Sequence, residues 1–206
     1  MLIGCYNYSV ILTYLGICSS LIGILKVNDL RVAMICLMIA GICDMFDGCV
    51  ARKCKRDEKA KAFGIQIDSL ADVVNFVVFP IVILYSILRN NTLFSGFVSE
   101  NWYYYAAFMT SIVFVLGGVI RLAWFNITTT GITKYYQGLP VTFISMILPF
   151  VYSLVQNTIW VKEIVLGTLL VVALLFVLDI PIPKPRGVFY IVFILIGGLI
   201  TFLLFR

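Results

Sequence analysis

The feature that most constrains this sequence is a series of long apolar stretches with almost no charge inside them. A helix that crosses the hydrocarbon core of a bilayer needs about 20 mostly apolar residues. Seven stretches approach that length: Val10–Leu25, Leu30–Cys49, Ile67–Leu88, Trp102–Phe125, Pro140–Val155, Ile164–Leu178 and Val188–Phe205. We therefore predict an all-α fold in which residues 1–206 form a single integral membrane domain, a polytopic bundle of six to eight transmembrane helices with seven counted.

The composition favours lipid rather than water around this bundle. Hydrophobic residues make up 62% of the 206 residues and charged residues 12%, whereas soluble domains carry about 25% charged residues. Histidine is absent, which excludes Ser-His-Asp triads, Cys-His nucleophiles and histidine-ligated zinc. The six cysteines form no Cys-x-x-Cys pair, and we interpret them as packed apolar side chains rather than redox or metal groups.

Lysine and arginine are distributed unevenly among the loops and helix ends, and this predicts the orientation. If the loop after the second stretch is cytoplasmic, ten cations lie on the inner side and five on the outer side. The inner ten are Arg52, Lys53, Lys55, Arg56, Lys59, Lys61, Arg121, Lys134, Lys184 and Arg186. We therefore expect a multi-pass protein of the cell membrane, with a cytoplasmic amino terminus, a basic loop at Lys53–Lys61 and no nucleic-acid partner.

Four aspartates, Asp44, Asp47, Asp68 and Asp72, lie at the ends of two neighbouring apolar stretches. A carboxylate at the edge of hydrocarbon is costly, so such residues mark functional sites. Spacings of three and four residues place each pair on one helix face. Converging carboxylates repel each other unless cations lie between them, and oxygen ligands select Mg²⁺ or Mn²⁺. We predict a site for two such ions, which suits a diphosphate substrate; pairing with nearby lysine or arginine is the structural alternative.

Small residues adjoin these carboxylates. Gly48 and Ala51 follow the first pair, and Gly64 lies one turn before the second. Without bulk on the helix surface, a flat base or a phosphate can lie against the backbone, and Arg52 offers a planar fork of donors for phosphate. Taken singly, such glycines and alanines are as well explained by helix packing in membranes.

The combined pattern is Asp44-x-x-Asp47-Gly48-x-x-Ala51-Arg52, eleven further residues, and then Gly64-x-x-x-Asp68-x-x-x-Asp72. It resembles the signature of the CDP-alcohol phosphatidyltransferases at all eight marked positions. The resemblance implies an integral membrane enzyme, expected to be a homodimer, that moves a phosphatidyl group from a CDP-linked lipid to an alcohol and releases CMP. It further implies that Asp44, Asp47 and Asp68 hold the metal ions, that Asp72 contacts one ion and acts as general base, and that Gly48, Ala51, Arg52 and Gly64 bind the CDP-lipid.

Other elements are similar to the bacterial phosphatidylserine synthases of that family. They are Asp68-Ser69-Leu70-Ala71-Asp72 followed by Phe76 and Pro80, Arg121-x-x-x-Phe125-Asn126, and Gly138-Leu139-Pro140. This likeness implies CDP-diacylglycerol and L-serine as substrates and phosphatidylserine as a product for phospholipid biosynthesis. Serine needs a cation for its carboxylate, and on the inner side we expect Arg121 or Lys134 to bind it, with Asn126 as a polar partner. Lys184 and Arg186 are also candidates, but anchoring on anionic lipid explains them as well. Asn75-Phe76-Val77 departs from the Ser-Phe-Gly of many of these synthases, and Trp124 replaces a common basic residue.

Two other functions are alternatives at this point. An enzyme of the same family could use glycerol phosphate or inositol phosphate as acceptor, which should demand more basic residues around the pocket. A cation transporter could use the acids as an ion path, although the four aspartates cluster at one side of the predicted bilayer instead of lining a route across it.

Overall fold

The computed structural model describes residues 10–53, 57–90, 100–128, 135–183 and 188–206. Their helices are α1 (Ile11–Leu25), α2 (Leu30–Lys53), α3 (Glu58–Asp72), α4 (Phe79–Asn90), α5 (Glu100–Thr128), α6 (Ile144–Val155), α7 (Val161–Val177) and α8 (Val188–Phe205). A π-helical turn, Val73–Val78, joins α3 to α4, and a 3₁₀ turn, Val141–Phe143, precedes α6. Two three-residue strands, β1 (Tyr135–Gln137) and β2 (Pro181–Pro183), pair antiparallel. The prediction of an essentially all-α fold is confirmed, and each predicted apolar stretch coincides with a helical segment.

Helix α3 extends further toward its amino end than the predicted stretch Ile67–Leu88. Asp57 caps it, because its Oδ1 accepts a hydrogen bond from the backbone N–H three residues ahead at 2.8 Å. Such a cap satisfies a donor that the first turn of a helix leaves unpaired. The expectation of a basic loop over Lys53–Lys61 is therefore wrong in extent, since Lys59 and Lys61 lie on α3 and α2 continues to the start of that segment.

The π-helical turn between α3 and α4 is explained by Pro80. Proline has no N–H, and its ring clashes with the carbonyl four residues earlier, which is that of Phe76. The helix widens instead, and the N–H of Phe79 donates to the carbonyl of Val74, five residues back. Asn75 is among the residues buried in this turn. A single proline thus changes the direction of the side chains that follow the last aspartate.

The apolar core lies between α2, the π-helical turn, α4, α5, α6, α7 and α8. Met34 and Leu37 of α2 have no exposed surface, and the rings of Phe114 on α5 and Phe176 on α7 lie 5.4 Å apart. Helices α5 and α7 pack closely because α5 carries a glycine at their contact: a Cβ on Gly117 would lie 2.9 Å from a backbone oxygen of α7. Helix α1 packs along α2, and α8 packs against α2 and α6.

Large apolar side chains also cover the outside of the bundle. On α8, Leu195 is 67% exposed and Phe202 is 68% exposed. Among the described residues, two helices are long and apolar enough to cross a membrane, Glu58–Arg89 and Trp102–Thr128; Ile11–Leu25, Val141–Val155 and Val192–Phe205 are shorter apolar helices. An apolar exterior of this extent is typical of surfaces that contact a membrane or another protein. The count of seven membrane spans stays a prediction.

The turn after β1 positions the start of α6. Gly138 has φ of +76°, and a Cβ there would lie 2.8 Å from the carbonyl oxygen of Phe176, so the position requires glycine. The N–H of Gly138 donates to Ile180 O at 3.0 Å, and the N–H of Leu139 donates to Leu175 O at 3.1 Å. Leu175 O is one of the carbonyls that the last turn of α7 leaves unpaired, and Ile180 lies between α7 and β2. These two bonds dock the turn, and with it the 3₁₀ segment, beside α2.

Candidate active site

Helices α2 and α3 bring the four aspartates of the sequence motif together. Carboxylate oxygens of Asp44, Asp68 and Asp72 lie within 4.8 Å of one another. Asp44 faces Asp72, and Asp47 faces Asp68. Two antiparallel helices produce this pairing, because the step of three residues from Asp47 back to Asp44 on α2 matches the step of four residues from Asp68 on to Asp72 on α3. The convergence expected from the sequence is confirmed, while the chemical role of each aspartate stays a prediction.

Two threonines that the sequence analysis missed hold this cluster. Thr13 Oγ1 on α1 donates to Asp47 Oδ2 at 3.0 Å, and Thr142 Oγ1 in the 3₁₀ turn donates to Asp44 Oδ2 at 2.8 Å. Each hydroxyl restricts the rotation of one carboxylate and ties a further helix to the α2–α3 pair. No local spacing predicts either contact, because the partners are 34 and 98 residues apart in the chain.

The cluster contains a buried acceptor without a donor. Asp68 Oδ1 is buried and accepts no hydrogen bond from any residue that the structure describes, and Asp47 is only 7% exposed. Leaving a buried oxygen unpaired is costly, so such an atom calls for a ligand. The donor set consists of carboxylate oxygens without imidazole or thiolate, which is the set that Mg²⁺ and Mn²⁺ prefer. The residues present therefore fit a divalent metal.

The predicted CDP-lipid residues flank the carboxylates on the side of the α2–α3 connection. Gly48 is partly buried on α2 directly after the first aspartate pair, and Gly64 is partly buried on α3 one turn before the second. Ala51 and Arg52 belong to the last turn of α2, but their side chains lie outside the described part of the structure. Lys134, expected at the acceptor, also lies outside the described residues.

Helix α5 carries the other two residues expected at the acceptor. Asn126 exchanges hydrogen bonds with Ser69: Ser69 Oγ donates to Asn126 Oδ1 at 3.1 Å, and Asn126 Nδ2 donates to Ser69 Oγ at 2.9 Å. Arg121 is 5% exposed, and its guanidinium carbon lies 5.3 Å from the ring centroid of Phe125. Arg121 is therefore buried in the bundle, about two turns before α5 ends at Thr128. Trp124 is 49% exposed, and its Nε1 donates to Gln137 Oε1 of β1 at 2.8 Å.

Two contacts establish the depth of Arg121 in the bundle. Ser69 of α3 pairs with Asn126, and a Cβ on Gly118 would lie 2.7 Å from Val77 of the π-helical turn. Between these two contacts the chain moves eight residues back along α5, from Asn126 to Gly118, and eight residues forward, from Ser69 to Val77. The two segments therefore run antiparallel in one register, and Arg121 lies level with the residues that directly follow Asp72. The backbone of Arg121 therefore lies one layer beyond the carboxylate cluster, counted from the α2–α3 connection, and its Nε is 3.5 Å from the position of a Cβ on Gly138.

Comparison with known proteins matches this site to one family. The family model of the CDP-alcohol phosphatidyltransferases matches residues 6–178. The archaetidylserine synthase of Methanothermobacter thermautotrophicus is 34% identical over 128 residues, which are 62% of this chain and 47% of that protein. The CDP-diacylglycerol–serine O-phosphatidyltransferase of Methanocaldococcus jannaschii is 32% identical over 153 residues, 74% of this chain and 64% of that protein. The protein of the same name from Helicobacter pylori J99 is 29% identical over 192 residues, 89% of this chain and 74% of its own.

The chain spans less than two thirds of the length of the first two of these relatives. The family match nevertheless includes both halves of the aspartate motif and every helix from α1 to α7. It also includes the two threonines that orient the aspartates and the buried arginine of α5. The chain therefore belongs to the CDP-alcohol phosphatidyltransferase family.

Proposed function

We propose that the protein transfers the phosphatidyl group of CDP-diacylglycerol to the hydroxyl of L-serine, forming phosphatidylserine and CMP. The observation that carries this proposal is the convergence of four aspartates at one end of an apolar helical bundle. Serine as the acceptor is supported by the relatives, several of which are named CDP-diacylglycerol–serine O-phosphatidyltransferase.

In this proposal the aspartates hold Mg²⁺ or Mn²⁺, two ions in total, with Asp72 contacting one of them. The family is generally dependent on divalent metal, and the three-carboxylate cluster supports the same for this chain. When bound, the metal neutralises charge on the diphosphate and on the departing CMP. Thr13 and Thr142 keep their carboxylates oriented before the substrate arrives, which reduces the reorganisation needed on binding.

Asp72 is the proposed general base. It accepts the proton of the serine hydroxyl while that oxygen attacks the phosphorus nearest the diacylglycerol, and the bond to CMP breaks in the same displacement. Asp72 lies one turn further from the α2–α3 connection than Asp68 and faces Asp44. The CDP head then lies toward the connection, framed by Gly48, Ala51, Arg52 and Gly64, and the acceptor enters from the opposite side of the phosphorus.

The acceptor's carboxylate is assigned to Arg121. Arginine suits a carboxylate because its planar fork can donate two parallel hydrogen bonds. Asn126 holds Ser69 and so fixes α5 beside the aspartate helix; Lys134 remains a further candidate for this pocket. Of the two buried cations among the described residues, Lys162 lies over the ring of Tyr103, whereas Arg121 belongs to the stretch of α5 that packs on the π-helical turn after Asp72. One buried guanidinium suits a carboxylate better than a doubly charged phosphate.

We further propose that the helices span the cell membrane seven times and that the cluster lies near its cytoplasmic surface. The apolar exterior supports this, and so do Lys59 and Lys61, which are exposed on α3 beside the connection, because lysine and arginine accumulate on the cytoplasmic side. A water-soluble CDP head and two lipid tails also require a site at such a boundary. The single domain over residues 1–206 and the homodimer stay expectations of the same proposal.

The test is to offer the purified, detergent-solubilised protein CDP-diacylglycerol with Mg²⁺ and one acceptor at a time. The acceptors are L-serine, glycerol 3-phosphate and inositol phosphate, and the lipid formed is identified by mass spectrometry while CMP is measured. We expect phosphatidylserine and equimolar CMP with L-serine alone. A lipid formed only from a phosphorylated acceptor would refute serine as the substrate. Absence of CMP with every acceptor, together with cation flux in proteoliposomes, would support the transporter alternative.

A further inference from the structure

Asn75 is buried beside the aspartate cluster without a role in the function proposed above. It lies in the π-helical turn that follows Asp72 and is only 2% exposed. Its Oδ1 accepts no hydrogen bond from any residue in the described ranges. A buried amide oxygen without a donor is costly, and native proteins keep few of them unless a ligand or water supplies the donor. π-Helical turns also occur frequently at functional sites.

Contacts on the α1 side place Asn75 one turn beyond the carboxylates, measured from the α2–α3 connection. Asn75 is three residues after Asp72, which is about 4.5 Å along a helix axis. A Cβ on Gly16 would lie 3.2 Å from Asn75 Nδ2. Gly16 in turn lies one turn after Thr13, whose hydroxyl donates to Asp47. The positions of Asn75 after Asp72 and of Gly16 after Thr13 therefore agree: the amide lies next to the aspartates, on the side away from the α2–α3 connection.

On the α5 side, the same layer contains Arg121. The contacts of Ser69 with Asn126 and of Val77 with Gly118 bracket this layer. Arg121 falls between them, level with the turn that contains Asn75. The backbone of the buried Arg121 and the unpaired amide oxygen of Asn75 thus lie at one depth, in the layer that follows Asp72.

The dimensions of L-serine match this layer. Its hydroxyl oxygen and its ammonium nitrogen are separated by three bonds, or about 3 Å. Adding a hydrogen bond of about 2.9 Å gives a reach somewhat greater than one helical turn. With the hydroxyl at Asp72, the ammonium and the carboxylate of serine both reach the layer of Asn75 and Arg121.

We propose that Asn75 Oδ1 accepts a hydrogen bond from the ammonium group of the acceptor, while Arg121 binds its carboxylate, so that the pair selects a zwitterionic amino acid. An ammonium group offers three donors and no acceptor, and a carboxamide oxygen can receive one of them without adding charge to an already acidic site. Glycerol phosphate and inositol phosphate carry no ammonium group. This inference rests on the proposed function, because it names the group by which that function recognises serine.

The test compares L-serine with 3-hydroxypropionate, which has the same hydroxyl and carboxylate but no ammonium group. In Asn75→Ala we expect the KM for L-serine to rise about ten- to a hundredfold, the usual range for a hydrogen bond to a charged group. The inhibition constant of 3-hydroxypropionate and the affinity for CDP should not change. In Asn75→Ser, which restores an oxygen acceptor, the KM for L-serine should recover most of the loss.

A matched control is Ser86→Ala, which removes a buried hydroxyl on α4 that donates to Val27 O at 2.7 Å, away from the aspartates; it should keep the wild-type KM for L-serine. Equal losses for L-serine and 3-hydroxypropionate in Asn75→Ala, or a loss of CDP affinity, would overturn the inference in favour of a structural role. So would an unchanged KM for L-serine. If the wild-type protein itself does not use L-serine, the proposed function fails before any variant is made, which distinguishes the two failures.

Discussion

The hydrogen bond from Thr142 to Asp44 offers a direct test of how the cluster is held. Thr142→Val removes the hydroxyl but keeps the shape of the side chain, so Asp44 loses its 2.8 Å donor without a cavity forming. A hydrogen bond to a charged group contributes about 1.5–3 kcal/mol. Without the threonine, part of the free energy of metal binding must be used to orient Asp44. We therefore expect the Mg²⁺ concentration for half-maximal activity to rise about 10–100-fold.

The assay is CMP release at fixed CDP-diacylglycerol and L-serine over a wide range of Mg²⁺. The rate at saturating Mg²⁺ should approach that of the wild type, because no group that contacts the substrate has been removed. The matched control is Thr168→Val on α7, where the hydroxyl donates to its own helix at Ile164 O at 2.7 Å; its Mg²⁺ dependence should be that of the wild type. A lower rate in Thr142→Val with an unchanged Mg²⁺ dependence would show that Thr142 does not act through a metal ligand.

Three further predictions concern the ligands, the base and the turn after β1. Excess chelator should abolish CMP release and added Mg²⁺ should restore it; turnover in excess chelator would refute the metal assignment. Asp68→Asn should abolish activity. Without metal, this variant should have a thermal midpoint no lower than that of the wild type, because one repelling charge is lost. Asp72→Asn should keep measurable CDP affinity while its rate falls by about two to four orders of magnitude, whereas a parallel loss of CDP affinity would make it mainly a ligand. Gly138→Ala should lower the thermal midpoint, since a side chain there is strained and meets a carbonyl at 2.8 Å. Gly198→Ala in α8 should not lower it, because an added Cβ there would meet no atom of another element within 4 Å among the described residues.

Several features could be predicted because they depend on residues close together in the chain. Apolar periodicity and length locate the helices, and spacings of three and four residues place each aspartate pair on one face. A short connection then makes the two faces meet. The error in the loop Lys53–Lys61 came from relying on hydropathy, although Asp57 followed by Glu58 is a readable helix start. Pro80 likewise indicates an irregular turn at this point of the chain, which an average of hydropathy does not detect.

The helices, the aspartate motif and the resemblance to the family could be predicted from the amino-acid sequence, because each of these is a pattern among neighbouring residues. The side chains that surround the acids follow instead from how the helices pack. Thr142 reaches Asp44 across 98 residues, and Arg121 and Asn75 share a layer through the packing of α5 and α1 against the π-helical turn. A hydroxyl or an amide in an apolar helix can form hydrogen bonds with several nearby backbone groups. Which partner it has in the folded protein therefore depends on how the helices pack and not on its neighbours in sequence.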